Sequence, residues 1–319
     1  MVDAAGLLLQ RVAVDNAAME GAPTPTRRRR WYQFSLRTVL IFTLLVAVAC
    51  GLVGRRIERK RRERDTIESI TSAGGQVTFN DQLGNPKADP QGSAWLRYLF
   101  GERFLSEVVW IKTGRADLRH LNEMPCLTTL LLKGSRIQDD DLAQLDDLPQ
   151  LKTLSLAGTS VTDAGIAYLR RLPNLTVLQL MDTKITDRAL ATIKRLGQLT
   201  DLSLTNTAVT DDCTADLREM THLRSLHLKW TSVSDSGLAN LKRLPELQVL
   251  ELDYITDDGL KELEQFATLE TLVIENADVT KTEVNRFKLT LPSCKLFCRR
   301  RYPISSSRAD PKDALWPAH

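Results

Sequence analysis

Seven copies of a leucine-led phrase follow one another at steps of 24, 24, 24, 24, 24 and 22 residues, starting at Leu127, Leu151, Leu175, Leu199, Leu223, Leu247 and Leu269. A period held that closely over so much chain is the mark of a solenoid, in which each unit packs only on its neighbours. The copy Leu151-Lys152-Thr153-Leu154-Ser155-Leu156-Ala157-Gly158-Thr159-Ser160-Val161-Thr162-Asp163 shows the phrase whole, and it runs on through Ile166, Leu169, Leu172 and Pro173.

Each stretch of the phrase has a physical reading. Alternation in the strand half turns Leu154 and Leu156 inward and Ser155 outward. Val161 adds an inward anchor. Thr162 can cap free N–H groups at a helix start, and Asp163 sits at the positive end of the helix dipole. Ile166, Leu169 and Leu172 then recur at helical spacing, and Pro173 closes the unit. One unit cannot cover its own apolar edge, but a stack shares one core. The expected fold is therefore an α/β solenoid over residues 106–298, preceded by one apolar helix.

These residues resemble leucine-rich repeats. Thr159, Thr183, Thr207 and Thr231 take the place usually given to Asn, with Ser135 as a near match. The Thr-Asp start is similar to the F-box-associated, cysteine-containing subfamily, although the leading Cys of that subfamily is mostly Leu here. The resemblance implies a horseshoe, with a parallel sheet on the concave face and helices on the convex face. It does not extend to a ubiquitin-ligase role, because no F-box is recognisable upstream.

Charge is unevenly placed. Residues 1–65 hold 13 Lys+Arg against 6 Asp+Glu, a balance of +7, and the remainder holds 30 against 34, a balance of −4. Within the basic head, Thr38 to Gly54 is a run of 17 residues without charge. That is the short limit for a spanning helix, which Leu36 and the stem of Arg37 can extend. Trp31 and Tyr32 suit an interfacial belt. Charge runs this dense at both ends could not follow the segment into a protein core, so the reading is a membrane helix through residues 38–54. No small-x-small site marks a cleaved signal peptide. Ala47-Val48-Ala49-Cys50 matches a lipoprotein site only in part, since the apolar run continues past Cys50. Five basic residues before the run and seven after it leave sidedness open.

The remaining segments read as follows. Residues 1–30 are a disordered tail, 31–54 the transmembrane helix with its flank, and 55–92 a basic stalk helix and linker in which Gln76 to Phe79 can form a strand. Residues 93–105, with Trp95, Leu96, Leu99, Phe100, Phe104 and Leu105, are an N-terminal cap for the open end of the solenoid. Residues 299–319 form a second disordered tail.

Catalysis finds little support. The histidines are His120, His222, His227 and His319. His227 can approach Glu251 across adjacent strands, but no nucleophile sits beside them in a strained turn. There is no Gly-rich phosphate loop. The five cysteines form no disulfide framework, and Cys294 with Cys298 lacks a second pair for zinc. The expectation is a protein without cofactor, metal or nucleic-acid partner, and not an enzyme.

Function is left to the outward residues of the strands. Those singled out as partner-binding are Gln179, Met181, Asp201, Ser203, Thr205, His227, Lys229, Trp230, Glu251 and Asp253. A face of eight strands about 4.8 Å apart spans roughly 35–40 Å, enough for a standard protein interface. The expected function is noncovalent binding of a protein or peptide at a membrane surface. The alternatives are a self-associating scaffold of the cell envelope and a recognition subunit of a larger complex.

Overall fold

A computed structural model describes residues 36–82, 107–113, 118–134, 136–145 and 148–300. It divides into two units, residues 1–54 and 55–319. The expected tail 1–30 and cap 93–105, and residues 301–319 of the second tail, lie outside the described residues.

The repeated phrase builds a ten-stranded sheet in strict sequence order. Its strands are β1 (Gln76–Phe79), β2 (Val108–Lys112), β3 (Thr129–Leu131), β4 (Thr153–Ser155), β5 (Val177–Gln179), β6 (Asp201–Ser203), β7 (Ser225–His227), β8 (Val249–Asp253), β9 (Thr271–Ala277) and β10 (Lys295–Arg300). β1 pairs antiparallel with β2, and every later pair is parallel. Arg299 and Arg300, expected in the second tail, belong to β10.

Register follows the leucines. Leu130, Leu154, Leu178, Leu202, Leu226, Leu250 and Leu272 are partners across successive strands. All seven are 0% exposed. Each such side chain contributes roughly 2 kcal/mol by leaving water. A slip of one residue would turn the whole column out to solvent, which is why the pairing is unique.

The second half of each unit supplies a short helix. These are α2 (Asp139–Leu142), α3 (Asp163–Ile166), α4 (Asp187–Ile193), α5 (Thr214–Leu217), α6 (Asp235–Leu241), α7 (Asp257–Leu263) and α8 (Lys281–Thr290), following the N-terminal α1 (Leu36–Ser72). Several continue or begin as 3₁₀ turns, as at Ala167–Arg171 and Asp211–Cys213. Thr162, Thr186, Thr210 and Thr256 cap their helices by accepting a backbone N–H.

The Asp that follows each capping residue does more than face a dipole. Its carboxylate reaches the capping residue of the next repeat. Asp163 accepts Thr186 N–H at 2.8 Å and Thr186 Oγ1 at 2.6 Å. Asp139 holds Thr162, Asp187 holds Thr210 and Asp211 holds Ser234 in the same way. At three of these junctions a glycine leaves room for the carboxylate: a Cβ on Gly165, Gly237 or Gly259 would run into Oδ1 of Asp139, Asp211 or Asp235. Inside the turn, Thr159, Thr183, Thr207 and Thr231 donate to the carbonyl three residues back, at 2.5–2.7 Å, which is how Thr fills the Asn place.

Residues 55–72 are more than a free stalk. Ile70 and Glu63 are each 2% exposed. Lys60 bonds Glu63 at 2.9 Å and Glu107 at 3.2 Å, and Arg62 bonds Glu123 at 3.0 Å. Burial pushes the Glu63 carboxyl up, against the pull of Lys60. The helix thus lies on the start of the solenoid and hides part of its open end, a task the sequence assigned to 93–105. Its apolar contribution comes from the buried Ile70 and the partly buried Ile67, and charge pairing does the rest. In the first unit, residues 39–54 of α1 expose their side chains throughout. Among the described residues this is the one helix long and apolar enough to cross a membrane.

Candidate functional site

The register that buries the leucines presents the residues between them on one open face. Across that face, β5 to β8 form a depression of about 360 Å³ lined by Val177, Leu178, Gln179, Met181, Asp201, Leu202, Ser203, Thr205, His227, Lys229 and Glu251. Eight of the ten residues singled out from the sequence lie here. They converge because period-2 positions on parallel strands share a face and stack one strand apart.

Two of the ten do not line the depression. Asp253 is 2% exposed. Its carboxylate is drawn under the turn, where Oδ2 accepts the Trp230 N–H, so it is not an outward residue. Trp230 stands at the rim and is 54% exposed. Ser155, expected outward, is 2% exposed. It is a small side chain whose strand partners are the larger Leu131 and Gln179.

The polar centre of the face is built from β7 and β8. His227 pairs with Glu251 across the two strands, and its Nδ1 lies 3.1 Å from Glu251 Oε2. Lys229 Nζ approaches the same oxygen at 3.0 Å and Glu275 Oε1 at 3.7 Å. The hydrogen bond from His227, the largest influence, and the contact with Lys229 hold the Glu251 carboxyl down to about 2, against burial. Burial would lower the Lys229 ammonium, but Glu251, Glu275 and Asp253 outweigh it and the group is raised. Asp253 is raised by burial, against the Trp230 N–H.

Ser225, two residues before His227 on the same face, places its Oγ 2.9 Å from His227 Nε2. The sequence did not single it out, although its i, i+2 spacing on a strand is the signal that finds it. Hydroxyl, imidazole and carboxylate thus stand in the order of a proton relay. The neighbouring backbone amides are spent in the ladder: Ser225 N–H donates to Thr200 O at 3.0 Å and Leu228 N–H to Glu251 O at 2.8 Å. Neither is left to stabilise an oxyanion. The arrangement suits fixing the imidazole edge for recognition. Among the described residues no group of His, Cys, Asp and Glu could hold a metal ion.

The sheet order, the 24-residue unit and the buried leucine column define a leucine-rich-repeat solenoid. A family model described as Leucine Rich repeat matches residues 171–194 and 219–242. Among solved structures, an internalin (inlF) from Listeria monocytogenes str. 4b F2365 is similar at 23% identity and TM-score 0.45, over 56% of this chain and 56% of that one. An internalin C2 (inlC2) from the same strain is similar at 21% identity and TM-score 0.47, over 59% of this chain and 80% of that one. The chain thus spans little more than half of the inlF chain, and likenesses this distant carry no functional inference. No curated protein matches the chain.

Proposed function

We propose that the chain is a membrane-anchored leucine-rich-repeat protein that binds a protein or peptide partner noncovalently through the open face of its sheet. The observation that carries this reading is the convergence of outward side chains from β5 to β8 in one depression around the His227–Glu251–Lys229 network. Repeat proteins of this kind use such extended faces for binding. The leucine-rich-repeat class is one of protein interaction, and nothing about the depression asks for a cofactor.

Residues 36–54 of α1 supply the anchor. Their exposed Leu, Val, Ile and Phe side chains have no protein to cover them within the described residues. Lipid is the solvent that suits such a surface. The full chain should resist extraction by alkaline carbonate and yield to detergent; release into the carbonate supernatant overturns the anchor.

The trough is tested by photo-crosslinking. A benzoylphenylalanine placed at Gln179 or Ser203 should capture one discrete protein band in its native cells. The same probe at Arg195, an exposed residue just past α4, should not. Equal capture from both positions, or from neither, removes the trough as the binding surface.

A further inference from the structure

The rim beside the trough indicates what the partner carries, an inference that rests on the trough reading above. Seven equivalent turns follow the strands, and each holds one residue with φ between 52° and 70°: Gly134, Gly158, Asp182, Asn206, Trp230, Tyr254 and Asn276. Five of these are the small or short polar types that tolerate a left-handed backbone. Trp230 and Tyr254 are not, and a bulky L side chain there is an outlier. Both stay exposed, at 54% and 46%, so core packing does not explain them. They occupy the same place in consecutive repeats, about one strand spacing or roughly 4.8 Å apart along the backbone.

Immediately inside this pair lie three carboxylates, Glu251, Asp253 and Glu275, against the single ammonium of Lys229. His227 and Lys229 both engage Oε2 of Glu251. Lys229 reaches Glu275 only at 3.7 Å. Asp253 is 2% exposed, and its Oδ1 has no hydrogen-bond partner among the described residues. A buried carboxylate with one oxygen unpaired is costly. It is tolerable where a further cation joins the cluster. The patch therefore combines a deficit of positive charge with two aromatic faces, and aromatic faces attract cations.

We propose that this rim receives a Lys or Arg side chain from a basic, extended segment of the partner protein. The cationic head lies over Trp230 and Tyr254, and its charge faces Glu275 and Glu251, with the buried charge of Asp253 beneath the turn adding to the attraction. An acidic segment would meet like charge, and a neutral one would leave the carboxylates unmatched.

The test uses the full 319-residue chain in detergent and fluorescence polarisation of a fluorescein-labelled (Lys-Ser)4 peptide, with (Gln-Ser)4 and (Glu-Ser)4 as controls. Only the lysine peptide should bind, and its affinity should fall with added salt. Trp230→Asn, Glu275→Gln and Asp253→Asn should each weaken it by about tenfold. The unfolding temperature should stay level or rise, because Asn relieves the left-handed turn in the first variant and the third removes a buried charge. Binding of the glutamine peptide with equal affinity overturns the proposal, as does unchanged affinity in all three variants. Gain of lysine-peptide affinity on Arg299→Ser/Arg300→Ser/Arg301→Ser would show the rim filled by the chain's own C-terminal end, which also overturns it. If the Gln179 and Ser203 crosslinks persist while charge preference is absent, the rim falls and the trough stands. Loss of both sinks the two together.

Discussion

Set the repeat that begins at Leu199 beside the one that begins at Leu247. In the first, the turn residue Asn206 takes the left-handed backbone at little cost, its N–H donates to Lys229 O at 2.8 Å, and Thr207 plugs the turn from within. In the second, two residues are missing, and the plugging Thr is among them. Tyr254 takes the left-handed place, and the rung before it is rebuilt, Trp230 N–H going to the Asp253 carboxylate instead of a backbone carbonyl. The regular unit satisfies its backbone with the smallest side chains that can do so. The short unit spends a buried acid and an exposed aromatic on the same task, and Trp230 in the repeat before it adds a second aromatic. Regularity here is the cheap solution, so the departure is where selection for something other than folding can be sought.

That contrast can be broken or sharpened by substitution. The largest effect belongs to the column both units share. Leu202→Ala and Leu250→Ala should each cost about 2–5 kcal/mol, read from urea unfolding, because both empty a fully closed interior. If Leu250→Ala costs much less than Leu202→Ala, the short repeat is looser than its burial implies.

Next come the carboxylates, where the units should differ in sign. Asp211→Ala strips the Ser234 N–H and hydroxyl of their acceptor and should cost about 1–3 kcal/mol. Asp253→Asn keeps an acceptor for Trp230 while removing a buried charge, and should be neutral or stabilising in the same assay. A loss in both would erase the distinction.

Acid titration isolates the polar centre. Glu251 has its carboxyl lowered from 4.5 to about 2 in the folded state. A lowered acid contributes stability that is present above its unfolded value and is lost as pH falls through the folded one. The urea midpoint should therefore drop between pH 4.5 and pH 2 by more in the parent than in Glu251→Gln. Identical acid profiles would mean that the His227 and Lys229 contacts add nothing.

The smallest effect concerns the turns themselves. Gly158, at φ 70°, should lose roughly 1 kcal/mol on substitution by Ala, whereas Trp230→Gly should gain up to about that amount. Thermal melts compare the two directly. Destabilisation by Trp230→Gly would show that the indole packs more usefully than its exposure suggests.

Much of this was legible in the residues. Leu154 and its equivalents fixed sidedness because a strand has only two faces, and the outward set followed from the same alternation. Asp253 was misjudged because alternation tells which face a side chain leaves from, not whether a two-residue deletion folds it back under the next turn. The Asp163–Thr186 contact escaped because it joins residues 23 apart, which adjacency in sequence does not suggest although the period itself does. The packing of residues 55–72 was hidden for another reason. Charged side chains that meet their counterions, such as Lys60 with Glu63 and Glu107, look the same in a sequence as charged side chains that meet water.

The aspartate clips all reach forward along the chain, each repeat gripping its successor. The row weakens at its far end: Asp257 still accepts the Thr280 N–H at 2.7 Å, but the Thr280 hydroxyl has turned away to cap Glu283. Such a stack has a direction, like overlapping roof tiles, and tugging at its trailing edge should loosen it before the leading edge gives. Hydrogen exchange would then sweep inward from β10, pass through the trough strands β8 to β5, and reach β2 last.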